Sequence, residues 1–431
     1  MTDDIRTRPA APPGGKARTS GQDFARLWFG QSASLVGDQF MVVALPLLSV
    51  TVLHTSLARA ALLPFALYAP FLLVGLPAGA VVDRMRRRSV MLLCDSVQAA
   101  TFLAVFVCAK AHVLSFWGLA GLVFVAGTMT VFFQVACTSY PPALFTDEAE
   151  LHRRNSQLYL SDSVSKAAGP VVAGPVIAFL SVAGAVAANA ASFLVSVLAV
   201  LSIRHREPAP EPARRSRGWL RRDIWEGLRF VFRHPVLEPV LTCGMTYTVF
   251  LTMVESILVL YCHSVLGLGP VGTGIVVGAS AAGFPVGNAL SVRLAAWQGV
   301  PRTCVIGTVV SVTGLICMPV AGHLHSTVGL VAGCVVHCVG EGAFGPLSLT
   351  LRQTETPPAL LGRVNAVQRF LVWGMIPLGS LLASLAISLW SLQAAMAIGA
   401  VGTVLCVPVL VRRGIRGGIA VRGELSPLPQ G

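Results

Sequence analysis

The chain is short of charge. Of its 431 residues only 12% are Asp, Glu, Lys or Arg, while 54% are apolar. An ordinary soluble domain carries about a quarter charged residues, so this chain cannot cover a water-facing surface. Mean hydropathy is +0.73, which excludes disorder and coiled coil. No CxxC pair occurs among the ten cysteines, and all ten lie in or beside apolar runs. That argues against a zinc site and against a secreted disulfide scaffold. Also missing are HExxH, an Asp-rich DDxxD site and a GxSxG nucleophile turn. Gly15-Lys16 is followed by Ala17, so there is no phosphate-binding loop. These absences disfavour a membrane-embedded enzyme. Met1 to Ser20 is polar and rich in Pro and Arg, without the apolar core of a signal peptide.

Long apolar stretches are what the chain does have. A crossing helix needs about 20 apolar residues. Cutting at charges and turn residues predicts twelve spans, near 25–52, 59–82, 89–110, 115–139, 156–180, 184–203, 239–264, 270–295, 302–322, 327–350, 365–388 and 392–411. With a cytoplasmic N-terminus, the cytoplasmic segments and the span ends beside them hold 28 of the 32 basic residues. That is the positive-inside bias. It accounts for the net charge of +13 without nucleic acid and sets basic faces against anionic inner headgroups.

The connection from Ile203 to Pro239 carries nine arginines. Its second part places Leu220, Ile224, Leu228 and Val231 at helical spacing, predicting a helix on the inner membrane surface. The halves repeat at an offset of 210: Thr146, Ala149, Leu151, Arg153, Asn155 and Gly169 recur as Thr356, Ala359, Leu361, Arg363, Asn365 and Gly379. Six identities in 24 positions compare with roughly two by chance. Arg153, Asn155, Arg363 and Asn365 are expected to anchor the inner ends of spans five and eleven. The expected division is a disordered cytoplasmic tail 1–24, a six-helix bundle 25–203, a linker 204–238, a second bundle 239–411 and a tail 412–431. A duplicated unit of this kind is the plan of a secondary transporter, with its site between the halves.

Between spans two and three stands Gly79-Ala80-Val81-Val82-Asp83-Arg84-Met85-Arg86-Arg87-Arg88. This resembles the loop signature of the major facilitator superfamily, except that the family usually has Gly where Arg86 stands. Gly169-Pro170-Val171-Val172-Ala173-Gly174-Pro175 is similar to a Gly-Pro-x-x-Gly motif of the exporting branch. It reads equally as a pliable leak-limiting helix or as an ordinary kink. Gly37-Asp38, Trp225-Glu226-Gly227-Leu228-Arg229 and the stretch Thr356 to Asn365 resemble the macrolide and siderophore exporters. The resemblance implies an all-α membrane protein of twelve transmembrane helices in two pseudo-symmetric six-helix bundles, with spans one, four, seven and ten lining a central cavity.

A charge at mid-helix costs at least ~2.5 kcal/mol on insertion scales, so each survivor needs a partner or a task. Lining by the four cavity spans singles out Asp38, Gln134, Glu255, His337 and Glu341. A carboxyl in a poorly hydrated cavity resists charging and can carry a proton between two faces; Asp38 is the first candidate. Gly79, Asp83, Arg84, Arg87, Arg88 and Asp95 are expected to form a gating loop and its charge network. Gly169, Pro170 and Gly174 should govern helix packing. Asp162 and Lys166 should neutralise each other, and Arg369 should snorkel to the inner surface.

The expected function is proton-coupled efflux of small amphipathic organic compounds by alternating access, in the cell membrane with both termini cytoplasmic. A facilitator or symport importer of a small metabolite stays open, as does, much more remotely, a membrane-embedded lipid-modifying enzyme. The expected partners are a small-molecule substrate, protons and lipid. No cofactor, metal or nucleic acid is expected, and the chain is taken as a monomer.

Overall fold

The computed structural model describes residues 14–82, 84–145, 147–205 and 219–414, which are helical with no strand among them. Among the described residues, eleven stretches are long and apolar enough to cross a membrane. One, Arg153–Leu201, belongs to a helix Glu148–Leu201 of 54 residues that breaks at Ser181, with φ 73° and ψ 167°. Unbroken, 54 residues would run about 81 Å, far beyond a ~30 Å apolar layer. The break therefore makes two spans, and the crossings among the described residues number twelve, as the apolar pattern predicts. Ser181 sits where L-residues rarely go. Its Oγ accepts the Gly184 N–H at 3.3 Å, which caps the restarted helix.

In chain order the spans are Gly14–Thr51, Leu63–Val82 with a leading turn Leu57–Ala60, Arg87–Lys110, Phe116–Ser139, 148–180, 182–201, Leu237–Ser264, Pro270–Gln298, Val300–His323, Thr327–Glu355, Leu360–Leu389 and Leu392–Val411. Each long turn on the weakly charged face that follows spans one, three and nine holds a histidine in the left-handed region: His54, His112 and His325, at φ 50°, 56° and 50°.

Span one starts earlier than predicted. The helix reaches back to Gly14, so part of the expected disordered tail is helical. Buried Asp23 secures it there: its carboxylate accepts the Arg204 N–H at 3.0 Å and the His205 N–H at 2.8 Å. Arg26 donates to the same group at 2.8 Å. The start of the first half is thus tied to the end of its sixth span.

Within the first half, span one packs along the five–six pair, two against four, and three against four and six. In the second half, seven packs against eleven and twelve, nine against ten, and eight against ten. Glycines allow the closest of these approaches. A Cβ on Gly314 would fall 2.3 Å from the His337 nitrogen, and one on Gly340 2.2 Å from that of Ser311, so spans nine and ten touch backbone to backbone.

The halves meet along five–eight, two–eleven and one–seven. Buried Ser380 on span eleven donates to Ala61 O at 3.0 Å and accepts the Phe65 N–H at 3.0 Å. Ala60 and Ala61 share an apolar cluster with Ile257, Leu260 and Ala383. These contacts sit near the face opposite the arginine-rich connections, so the halves close there.

The linker holds a helix, Trp219–Arg233. It lies against the protein through Gly227, whose Cβ would meet Val367 at 2.9 Å, and through buried Val231. Trp225 and Phe232 face outward, 66% and 48% exposed. The Arg363 guanidinium holds Glu226 of this helix at 2.7 Å.

Candidate functional site: acids between the halves

Gly37 brings span one against span six. A Cβ there would lie 2.2 Å from Ser192 Oγ and 2.4 Å from Asn189 Oδ1. The next residue, Asp38, consequently faces the Asn189 side chain, which is wholly buried. Asp38 stands 13 residues, about 20 Å along the helix, from the end of span one at Thr51. That is mid-depth.

Two acids answer it from the other half. Every residue from Leu251 to Cys262 on span seven is buried except Glu255, which is exposed. A lone open residue in a packed helix faces an accessible space, and Tyr68 of span two lies within electrostatic reach of both Glu255 and Asp38. Glu255 in turn lies within electrostatic reach of Glu341 on span ten. Glu341 is reached by Lys166 of span five, which also binds Asp162 at 2.8 Å. Acids from spans one, seven and ten thus converge on one region, joined by an ammonium from span five.

Around Glu341 the second half is hydrogen-bonded in detail. Buried His337 presents Nδ1 to Ser311 Oγ at 2.8 Å and to the Tyr247 hydroxyl at 3.2 Å; the Tyr247 and Ser311 hydroxyls also bond each other. His337 Nε2 lies 3.8 Å from Glu341 Oε2, too far for a hydrogen bond. His337 is therefore hydrogen-bonded to spans nine and seven rather than to Glu341.

Arg369 finds partners within the protein. Its Nη2 donates to Gln134 Oε1 at 3.1 Å, and its guanidinium lies 4.8 Å from the Trp373 ring centre. A local acceptor and an aromatic face hold it between the halves. Asp95 departs from expectation. It is fully buried and accepts from Ser196 Oγ of span six at 2.6 Å, inside the bundle rather than in the loop. Of the loop residues, Arg88 donates to the carbonyls of Val200 and Leu201 at 3.1 and 2.8 Å, capping span six. Arg84 is exposed, Arg87 and Gly79 are half-buried, and Asp83 lies outside the described residues.

The Gly-Pro motif lies on the seam. A Cβ on Gly169 would meet Gln39 Cβ of span one at 2.3 Å, and one on Gly174 would meet Pro270 O of span eight at 2.8 Å. From the opposite side, Gly274 faces Pro170 O at 2.5 Å. The repeated pair has diverged. Arg153 is 68% exposed and 3.8 Å from Glu150, whereas its neighbour Arg154 binds Glu150 at 2.6 Å and covers the Phe24 and Phe145 rings. The anchor of span five is therefore Arg154. Asn365 accepts from Arg352 of span ten at 3.1 Å; Asn155 is half-buried.

Sequence reasoning passed over Asn189, Tyr68, Tyr247 and Ser311. Asn189 carried a usable signal, a lone amide in an alanine-rich span. The hydroxyls did not, because Ser and Tyr recur in apolar spans without meaning.

The sequence pattern of the Major Facilitator Superfamily matches residues 27–376. The multidrug efflux pump Tap of Mycobacterium tuberculosis (strain ATCC 25618 / H37Rv) is 29% identical over 367 residues, 82% of this chain and 84% of that one. The macrolide efflux protein A of Streptococcus pyogenes is 23% identical over 377 residues, 84% and 88% of the two chains. Among solved structures, a bacterial homologue of the iron transporter ferroportin in an inward-facing state superposes with a TM-score of 0.72 at 18% identity, covering 91% of this chain and 98% of that one. The nucleoside transporter NupG superposes with a TM-score of 0.71 at 13% identity, covering 91% and 98%. Twelve spans, a mid-depth site between two halves and a match over most of its length agree: the chain belongs to the major facilitator superfamily.

Proposed function

We propose that this chain is a proton-driven exporter of small amphipathic organic compounds. The observation that carries the reading is the convergence of Asp38, Glu255 and Glu341 from three spans beside the seam between the halves. Asp38 is the coupling acid. It sits where span one is tightest against span six, so a change in its charge acts directly on helix packing. Glu255, Glu341, His337 and Gln134 line the path of the cargo. Both relatives named above are efflux proteins by name, which favours export over uptake.

The basic connections favour a cytoplasmic side for both ends in the cell membrane, against anionic lipid. The seam closed on the opposite face then corresponds to an inward-open state. The working unit is a monomer of two rocking bundles, 25–203 and 239–411, joined by the linker 204–238. The Gly-Pro motif of span five serves as the bearing between them, and the arginine loop after span two as the inner gate.

Expression in a host stripped of its own pumps tests this. Cells carrying the chain should accumulate less macrolide or dye than cells without it, and a protonophore should abolish the difference. Greater accumulation in expressing cells would establish uptake instead.

A further inference from the structure

His337, Cys338 and Glu341 stand on one arc of span ten, at 0°, 100° and 40° around a helix turning about 100° per residue. They offer a ring nitrogen, a thiol and a carboxylate whose ligating atoms all lie within 4.8 Å of one another. Ligands at the zinc-like distances of 2.0–2.3 Å in a tetrahedron sit about 3.3–3.8 Å apart. The His337 Nε2 to Glu341 Oε2 separation of 3.8 Å needs to close by only a few tenths of an ångström, and the thiol by about 1 Å. Rotation of a cysteine χ1 supplies such a shift without moving backbone.

The second observation concerns orientation. His337 is 5% exposed, and its Nδ1 is engaged by Ser311 Oγ at 2.8 Å and the Tyr247 hydroxyl at 3.2 Å. With Nδ1–H donating to these oxygens, Nε2 carries the lone pair and points toward Glu341. Metal-binding histidines are set up in this way, one nitrogen held by an outer partner and the other left to ligate. Gly314 and Gly340 permit the close packing of spans nine and ten that brings Ser311 within reach.

We infer that His337, Cys338 and Glu341 form a binding site for a borderline-soft divalent cation of the zinc class, facing the space between the halves. Two anionic ligands cancel the double charge, leaving a neutral complex of the kind a membrane interior tolerates. Binding converts Cys338–SH to a metal thiolate and releases its proton to water: one S–metal bond forms as the S–H bond breaks, with no change of oxidation state. A single thiolate with a nitrogen and one carboxylate does not suit Mg²⁺ or Ca²⁺, which want oxygen ligands. Three protein ligands leave a fourth position open for water, so the ion exchanges readily. Lys166 does not oppose the ion with a free charge, because Asp162 holds it at 2.8 Å.

The site is tested with Co²⁺ as the probe on the full chain, purified in detergent and stripped of metal. About one equivalent should produce tetrahedral d–d absorption with a thiolate-to-cobalt charge-transfer band, and Zn²⁺ should displace it. Cys338→Ser should abolish the charge-transfer band. Glu341→Gln should weaken binding at least tenfold, and Ser311→Ala by about 10–100-fold, as for other outer-shell partners. Cys317→Ser, at an exposed cysteine elsewhere, should change nothing. The inference is overturned if the wild-type chain shows no thiolate band, or if the band survives Cys338→Ser or vanishes in Cys317→Ser. Should Cys338→Ser fail to fold, the Glu341→Gln and Ser311→Ala titrations decide: unaltered Co²⁺ affinity in both rules the site out. None of these readouts depends on transport, so the export reading can fail while the site stands, and the reverse.

Discussion

Arg369 Nη2 donates to Gln134 Oε1 across 3.1 Å, joining span eleven to span four and hence one half of the protein to the other. The guanidinium is steadied by the Trp373 ring, so the bond has a fixed direction. A hydrogen bond that spans the two halves exists only while they stand in this arrangement. Truncating either end, Gln134→Ala or Arg369→Ala, should bias the protein away from it. A double-mutant cycle on transport rates should return a coupling of about 0.5–3 kcal/mol. Strictly additive effects would show that the bond does not distinguish the two states.

The five–eight seam makes a second prediction. Gly274→Ala puts a Cβ 2.5 Å from Pro170 O, a backbone atom with no freedom to turn aside. The halves must separate on that face, so the closed arrangement loses stability by about 1–3 kcal/mol, the usual cost of overpacking. Disulfide trapping between Val171→Cys and Gly278→Cys, neighbours across the seam, should slow severalfold in the Gly274→Ala background. Unchanged trapping would mean that the seam adapts.

Gly37→Ala tests the approach of span one to span six. The added methyl group meets Ser192 Oγ and Asn189 Oδ1, and Asn189 can shift only by loosening its hold on Asp38. Folding should persist, with a melting temperature lowered by a few degrees, while transport falls at least tenfold. Normal transport with normal stability would place Asp38 outside the mechanism.

His234 makes a pH prediction on the basic face. Its Nδ1 accepts the Val236 and Leu237 N–H groups at 3.3 and 3.4 Å, capping the start of span seven. Partial burial lowers its pKa from the ordinary value of 6.5, against an opposing pull from Glu355. Because the folded state binds the proton less well than the unfolded state, the stabilisation is complete above pH 6.5 and is lost as pH falls through the depressed value. Thermal unfolding should show the wild type losing stability from about pH 6.5 downward. His234→Gln, which can still accept but does not titrate, should show a flatter slope there. Equal slopes would assign the acid sensitivity to other groups.

The twelve crossings were legible because bilayer thickness fixes helix length and hydropathy reports it. Even the break at Ser181 fell between two predicted spans. The positions of Asp38, Glu255 and Glu341 were legible for the same reason, since charge is scarce in such helices. What they touch was not. Asn189 meets Asp38 only because Gly37 lets two helices separated by 150 residues close up, and sequence spacing says nothing of that. The fates of Arg369 and Asp95 depended on Gln134 and Ser196 from other spans, uncharged partners that leave no pattern. Arg153 repeated across the halves, yet the contact is made by Arg154, one residue and about 100° further round the helix.

The most direct test reconstitutes the purified chain with Asp38→Asn in proteoliposomes and compares gradient-driven accumulation of a macrolide or dye with its equilibrium counterflow. If Asp38 couples the proton to the rocking halves, the variant retains counterflow and loses accumulation driven by the pH gradient. Accumulation at the wild-type rate and extent would show that the proton travels by another route.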